Sequence, residues 1–169
     1  AGGTYFTLPE LFTETLADYP GASWVYKPKS TLAISAEGDV VVGEARLDVE
    51  YSCGANGMCS YVQTEAREAF LWTADGGIRG LGYLQGGNTL NGSGAVSISA
   101  DGTVVVGWSS SANGAQAFRW TEDGGMVGLG DLAGGDPLGS AKGVSADGAT
   151  IVGYSKSASG TEAFRWTHA

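Results

Sequence analysis

The sequence predicts an all-β protein of antiparallel, four-stranded repeats of the β-propeller blade type. Three observations predict it. A nine-residue phrase recurs at Ser35–Gly43 (SAEGDVVVG), Ser99–Gly107 (SADGTVVVG) and Ser145–Gly153 (SADGATIVG). A second phrase follows each copy, at Glu68–Thr73 (EAFLWT), Gln116–Thr121 (QAFRWT) and Glu162–Thr167 (EAFRWT). Copies two and three lie 46 residues apart, from Ser99 to Ser145 and from Trp120 to Trp166, which is the size of one propeller blade.

Turn signals divide copy two into four pieces. Strand a, Ala95–Ser99, leads into Asp101-Gly102, a dipeptide that favours a two-residue hairpin turn because both central residues take positive φ. Strand b, Thr103–Ser109, contains Val104-Val105-Val106. That run is apolar on both faces of the pleat, so it is expected to be covered on both. Strand c, Gln116–Thr121, turns Ala117 and Arg119 one way and Phe118 and Trp120 the other. Strand d, Met126–Leu132, is entered through Gly124-Gly125. Stacked blades account for a strand covered on both faces; a sandwich or a solenoid of the same unit is the competing arrangement.

The chain has 169 residues, room for one domain with a sizeable core. An apolar content of 43% argues against disorder, and 29 glycines without a three-residue period exclude collagen. The net charge of −9 argues against nucleic acid or an anionic membrane as partner and suits a soluble secreted protein. No apolar run reaches transmembrane length. No signal peptide is visible, and Ala1 in place of Met reads as a processed product.

The first copy carries a 16-residue insert, because 26 residues separate Gly43 from Ala69 where 10 separate Gly107 from Ala117. The organisation expected is an N-terminal segment and connector, 1–31, then a three-repeat domain, 32–169, with a hairpin insert at 44–67. Cys53 and Cys59 lie in the insert. So close a lone pair reads as a disulfide at a hairpin tip, formed in an oxidising compartment and worth about 2–3 kcal/mol. Folding the insert about that tip sets Tyr51 opposite Tyr61, Val49 opposite Gln63 and Leu47 opposite Glu65. Leu47, Val49, Tyr51 and Tyr61 then share an apolar face, which packs either on its own domain or on another subunit.

Copy three has pieces a, b and c and lacks d. The stretch Gly2–Leu11 (GGTYFTLPEL) matches Gly124–Leu132 (GGMVGLGDL) in its Gly-Gly pair, apolar stretch and two Leu three apart, with one extra residue between. Thr4, Tyr5, Phe6, Thr7 and Leu8 therefore read as the missing strand, which brings the count to twelve strands. A competing reading makes Pro9–Tyr19 a short helix with Leu11, Phe12, Leu16 and Tyr19 on its apolar face. Pro20–Ser30 is then a connector. Propellers have about four to eight blades, so three do not bring the ends of one chain together. The expectation is head-to-tail pairing between copies. Thr4–Leu8 of one lies antiparallel beside Glu162, Ala163, Phe164, Arg165, Trp166 and Thr167 of another.

The combination of VSADGxxVVG, EAFRWT and GGMVGLGDLAGG over residues 32–167 resembles the HAF repeats of bacterial extracellular proteins. The resemblance implies a secreted or surface protein of propeller-like architecture and brings no catalytic residues. The family's His is replaced here by Glu68, Gln116 and Glu162.

The residues with potential chemistry have structural readings. Glu37, Asp101 and Asp147 recur at one repeat position, but each offers one carboxylate beside a Gly, far short of a calcium shell. There is no Gly-x-Ser-x-Gly elbow and no Cys-His pair. The only His is His168, so zinc lacks ligands. Trp72, Trp120 and Trp166 recur beside Phe and read as core, whereas Trp24 and Trp108 break the register and are better candidates for ligand contact. The expected function is therefore non-catalytic: self-assembly into an extracellular fibre or surface layer by strand complementation, with no metal and no cofactor. The alternatives are a glycan- or ligand-binding module of a surface adhesin and, second, a secreted hydrolase with carboxylates between blades.

Overall fold

A computed structural model describes residues 11–15, 22–51 and 61–168, with side chains described at 29, 30, 33–46 and 66–168. The protein is all-β and propeller-like: among the described residues there are twelve strands and no helix, so none is long and apolar enough to cross a membrane. The first unit holds β1 (Leu11–Thr15), β2 (Ala22–Ile34), β3 (Val40–Tyr51), β4 (Tyr61–Thr73) and β5 (Gly77–Gly80). The second holds β6 (Ser93–Ile98), β7 (Val105–Ser111), β8 (Gly114–Thr121) and β9 (Gly125–Gly128). The third holds β10 (Gly134–Val144), β11 (Thr150–Ser157) and β12 (Gly160–Thr167). Within each unit, chain neighbours pair antiparallel; a parallel bridge, Leu138 to Ala115, links β10 to β8.

The repeat phrase explains the register. Its closing glycine lies opposite the phenylalanine of strand c in all three units: Gly43 with Phe70, Gly107 with Phe118, Gly153 with Phe164. A side chain there has no room, because the main chain of the preceding strand crosses too closely: a Cβ on Gly43 would stand 2.0 Å from the Ser30 carbonyl oxygen, one on Gly107 2.0 Å from that of Gly94 and one on Gly153 2.2 Å from that of Ser140. The valines of strand b alternate between two cores. Val105 faces the first unit with Leu71, Phe118 and Trp120, and Val106 faces the third with Ala117, Ala141 and Ile151.

The hairpins between strands a and b are not the two-residue Asp-Gly turns expected. Ala100–Thr103 form a four-residue loop in which Gly102 N–H donates to Ser99 C=O at 3.1 Å and Ser99 N–H to Val104 C=O at 2.9 Å. The left-handed residue is Gly102, φ +74°, at the end of the turn, where a type I geometry places it. These loops stack: Ala36 N–H donates to Ala100 C=O at 2.9 Å, and Ala100 N–H to Ala146 C=O at 3.1 Å. A main-chain ladder thus runs through all three units.

The N-terminal region differs from expectation. Leu11–Thr15 is a strand, not part of a helix, and pairs with Ser23–Tyr26. Thr13, Thr15 and Phe12 suit a pleat once β2 offers an edge, so the tertiary partner overrides the loose helical pattern. Within the connector Pro20–Ser30, to which the sequence assigned no structure, Ala22–Ser30 is strand. It extends β2 alongside the insert, from Ala22 opposite Tyr51 to Tyr26 opposite Leu47. Pro28 is accommodated at a register shift. The arm is therefore a sheet of β1, β2, β3 and β4 rather than a two-stranded ribbon, which relieves the ribbon's marginal stability. Its register also differs. Val49 pairs with Val62 and Glu50 with Tyr61, because Thr64, Glu65 and Ala66 stand against Leu47 alone at a bulge. Tyr51 and Tyr61 do not face each other.

Candidate functional site

The three c strands, β4, β8 and β12, share nearly one sequence and differ in what lies beside them. β4 is flanked by β5, with Phe70 opposite Gly80 and Trp72 opposite Ile78. β8 is flanked by β9, with Phe118 opposite Gly128 and Trp120 opposite Met126. β12 ends its sheet, and among the described residues no strand lies on its outer edge. Exposure follows. Phe70 and Phe118 are both 0% exposed, whereas Phe164 is half-buried; Trp120 is buried, whereas Trp166 is half-buried, as is Trp72 at the other end of the array.

The segments that follow strand d show the same difference. Leu81 N–H donates to Ala69 C=O at 2.8 Å and Leu84 N–H to Ser109 Oγ at 3.0 Å, so Gly80–Leu84 plugs the seam between units one and two. Leu129 N–H donates to Ala117 C=O at 2.9 Å, and Leu132 N–H reaches Ser155 Oγ at 3.5 Å, in the seam between units two and three. Leu81 and Leu84 are buried, but Leu129 and Leu132 only half-buried. In the first seam β9 lies over the plug, where a Cβ on Gly128 would touch Leu84 Cδ1 at 3.5 Å. In the second seam the corresponding place is an open cleft of about 140 Å³, with Leu129, Leu132, Phe164 and Trp166 as its apolar lining and Asp131, Ser155 and Arg165 beside them.

Glu68, Gln116 and Glu162 share one repeat position, and the first two act on the plug. Glu68 is buried; its Oε1 accepts from Gly82 N–H at 2.8 Å and its Oε2 from the Tyr83 hydroxyl at 3.3 Å. Gln116 Nε2 donates to Asp131 Oδ2 at 2.6 Å. Glu162 is exposed and accepts instead from the hydroxyl of Ser157 in its own hairpin. Glu162 and Arg165 leave charges of both signs on β12, a common means of keeping an open edge from indiscriminate pairing.

The other sequence-predicted residues are placed as follows. Thr4–Leu8, Cys53 and Cys59 lie outside the described residues. Leu47, Val49, Tyr51 and Tyr61 lie on β3 and β4, with side chains outside the described residues. Trp24 lies on β2 opposite Val49, its side chain likewise outside them. Trp108 is half-buried, with the Arg67 guanidinium 5.8 Å from its ring, and a Cβ on Gly94 would stand 2.7 Å from its Nε1. Trp72 is half-buried against Ala45, Phe70 and Ile78.

Asp101 and Asp147 close their turns. Asp101 accepts from Ser99 Oγ and from Thr103 N–H and Oγ, and Asp147 from Ser145 Oγ and Ala149 N–H. These hydrogen bonds, the serine's first, hold both carboxyls below the usual carboxylate range. In the first unit Ser35 Oγ bonds Asp39, so the turn role falls two residues after Glu37. Sequence reading missed the plug. Its visible signal is Gly-Leu-Gly-x-Leu at Gly80–Leu84 and Gly128–Leu132, in which the second Leu belongs to the seam and not to strand d.

No protein-family model matches the chain, and no curated protein matches it. The comparison that bears on function is the internal one, between units of the same chain.

Proposed function

We propose that this chain is a secreted, non-catalytic structural protein that assembles head to tail. The outer edge of β12 accepts Thr4–Leu8 of a second copy as the fourth strand of the third unit. The observation that carries the reading is the contrast between β8, covered by β9, and β12, which no described strand covers, beside a cleft lined by Leu129, Leu132, Phe164 and Trp166. The Gly-Gly-apolar-Leu pattern of Gly2–Leu8 supports this donor, because it is the pattern that forms β9 and its plug in unit two. Ladder bonds along an edge give such a strand affinity, and side chains in alternate pockets give it specificity. Tyr5, Phe6 and Leu8 would each contribute about 1.5–3 kcal/mol where fully buried. The resemblance to HAF repeats, the insert's cysteine pair and the acidic charge support an extracellular setting.

Deleting residues 1–8 should abolish concentration-dependent assembly in sedimentation velocity. A peptide of residues 1–11 should bind the deletion variant and cap it as a monomer. A deletion variant that assembles like the intact chain, or an intact chain monomeric at every concentration, refutes the reading. A monomer whose β12 edge is protected from hydrogen exchange only when residues 1–8 are present would assign the donor to the same chain.

A further inference from the structure

We propose that copies also stack through the two end faces of the repeat array. The outer face of the third unit, centred on Val152, seats on the outer face of the first unit of the next copy, centred on Ile34. This rests on the assembly reading above and uses a different surface from the β12 edge.

Equivalent positions along the array carry the argument. Val42, Val106 and Val152 share one repeat position: the first two are 0% exposed because the next unit covers them, while Val152 is 46% exposed. Ile34 and Ile98 share another: Ile98 is 8% exposed against the unit before it, while Ile34 is 59% exposed. The turn glycines repeat the pattern. A Cβ on Gly102 would stand 2.9 Å from Val40 Cγ2 and one on Gly148 2.6 Å from Val104 Cγ2, so each glycine rests on a β-branched residue of the preceding unit. Gly38 faces only its own Ile34. Thr150, next in the Val40 and Val104 series, has no glycine over it among the described residues. The main-chain ladder has complementary ends too. Ala36 C=O accepts no ladder bond and Ala146 N–H donates none among the described residues, and the internal rungs run from the N–H of one unit to the C=O of the next.

What covers such a face is therefore on display twice inside the molecule: another unit of the same repeat. A second copy offers that unit with the polarity required, Ala146 N–H to Ala36 C=O and Thr150 beneath Gly38. The internal ladder already stacks Glu37, Asp101 and Asp147 one above another, so the acidic turns do not bar a further step.

The test is a complementation between two exposed-face variants, Ile34→Glu and Val152→Glu, whose altered faces repel one another, each with its melting curve as fold control and with Ile34→Ser and Val152→Ser as milder substitutes. Each variant alone should sediment as a monomer where the wild type assembles, because every contact would include one altered face. A one-to-one mixture should give dimers and nothing larger, since the intact Val152 face of one variant meets the intact Ile34 face of the other. A mixture that stays monomeric, or a single variant that assembles like the wild type, overturns the proposal. The variant lacking residues 1–8, run in parallel, separates the two contacts. If it assembles while the face variants do not, strand donation fails and stacking stands. If the face variants assemble and the deletion does not, stacking fails alone.

Discussion

Phe118 and Phe164 occupy one repeat position and should respond differently to truncation. Phe118 is 0% exposed, covered by β9 on one side of β8 and packed with Val105, Leu84 and Trp120. Phe118→Ala deletes a closed-in ring between two sheets that cannot collapse together, because main-chain bonds hold their spacing. The cost should be about 3–5 kcal/mol. Phe164 is half-buried at the cleft beside Leu132 and Ser155. Phe164→Ala loses roughly half the transfer free energy and leaves an open notch that water fills, so the expected cost is about 1–2 kcal/mol. Urea unfolding at concentrations where the chain is monomeric measures both, provided the slope is unchanged between variants. Repeating the series with a saturating peptide of residues 1–11 should raise the cost of Phe164→Ala towards that of Phe118→Ala, because the bound strand closes the notch. Equal costs in the free monomer would mean that Phe164 is already covered in solution, and the argument from an open edge would fail.

The acidic turns give a pH dependence. The folded-state carboxyls of Asp101, Asp147 and Glu122 are held low, the first two by serine hydroxyls and the third by hydrogen bonds from Arg79. Their contribution to stability is therefore present above the unfolded carboxylate pKa of ~4 and lost as pH falls through the lower folded values. Melting temperature should fall on acidification below about pH 5, and Asp101→Asn with Asp147→Asn should flatten that fall; an unchanged slope contradicts the assignment. Ser109→Ala strands the buried Leu84 N–H now bonded at 3.0 Å and should cost about 1–3 kcal/mol in urea unfolding. Ser155→Ala should cost clearly less, since its bond to Leu132 is 3.5 Å long and only part-buried.

Much of the fold was legible because the repeat marks its own parts. The Val-Val-Val run reads as a strand covered on both faces, and Val105 and Val106 do serve different cores. The pairing of Gly107 with Phe118 follows once strands b and c are laid antiparallel. What was not legible depends on partners distant in sequence. Leu11–Thr15 looks helical by spacing and is a strand because β2 lies beside it. Ser23–Tyr26 is rich in strand formers, but Pro20 and Pro28 obscured it until a register shift accommodated Pro28. The turn carboxylate was assigned to Glu37 by alignment, yet Asp39 is the residue that reaches Ser35. The β12 edge was legible as a position; its cleft was not, since Leu129 and Leu132 were assigned to a strand rather than to the seam.

The β12 edge and the Val152 face have one physical origin. A repeat of this kind places the fourth strand and the plug of each unit against its neighbour, so no unit completes its own core. Glu68 and Gln116 illustrate the dependence: each uses its side chain to hold the segment that leads into the following unit. Glu162 stands at the same position without such a segment among the described residues and turns back to Ser157. Phe164, Trp166, Leu129 and Leu132 are identical or closely similar to residues buried one unit earlier, so their exposure cannot come from their chemistry. Among the described residues no neighbour stands at their position. A copy of the repeat is the occupant proposed for both, because the equivalent places earlier in the array are filled by β9 and by the next unit.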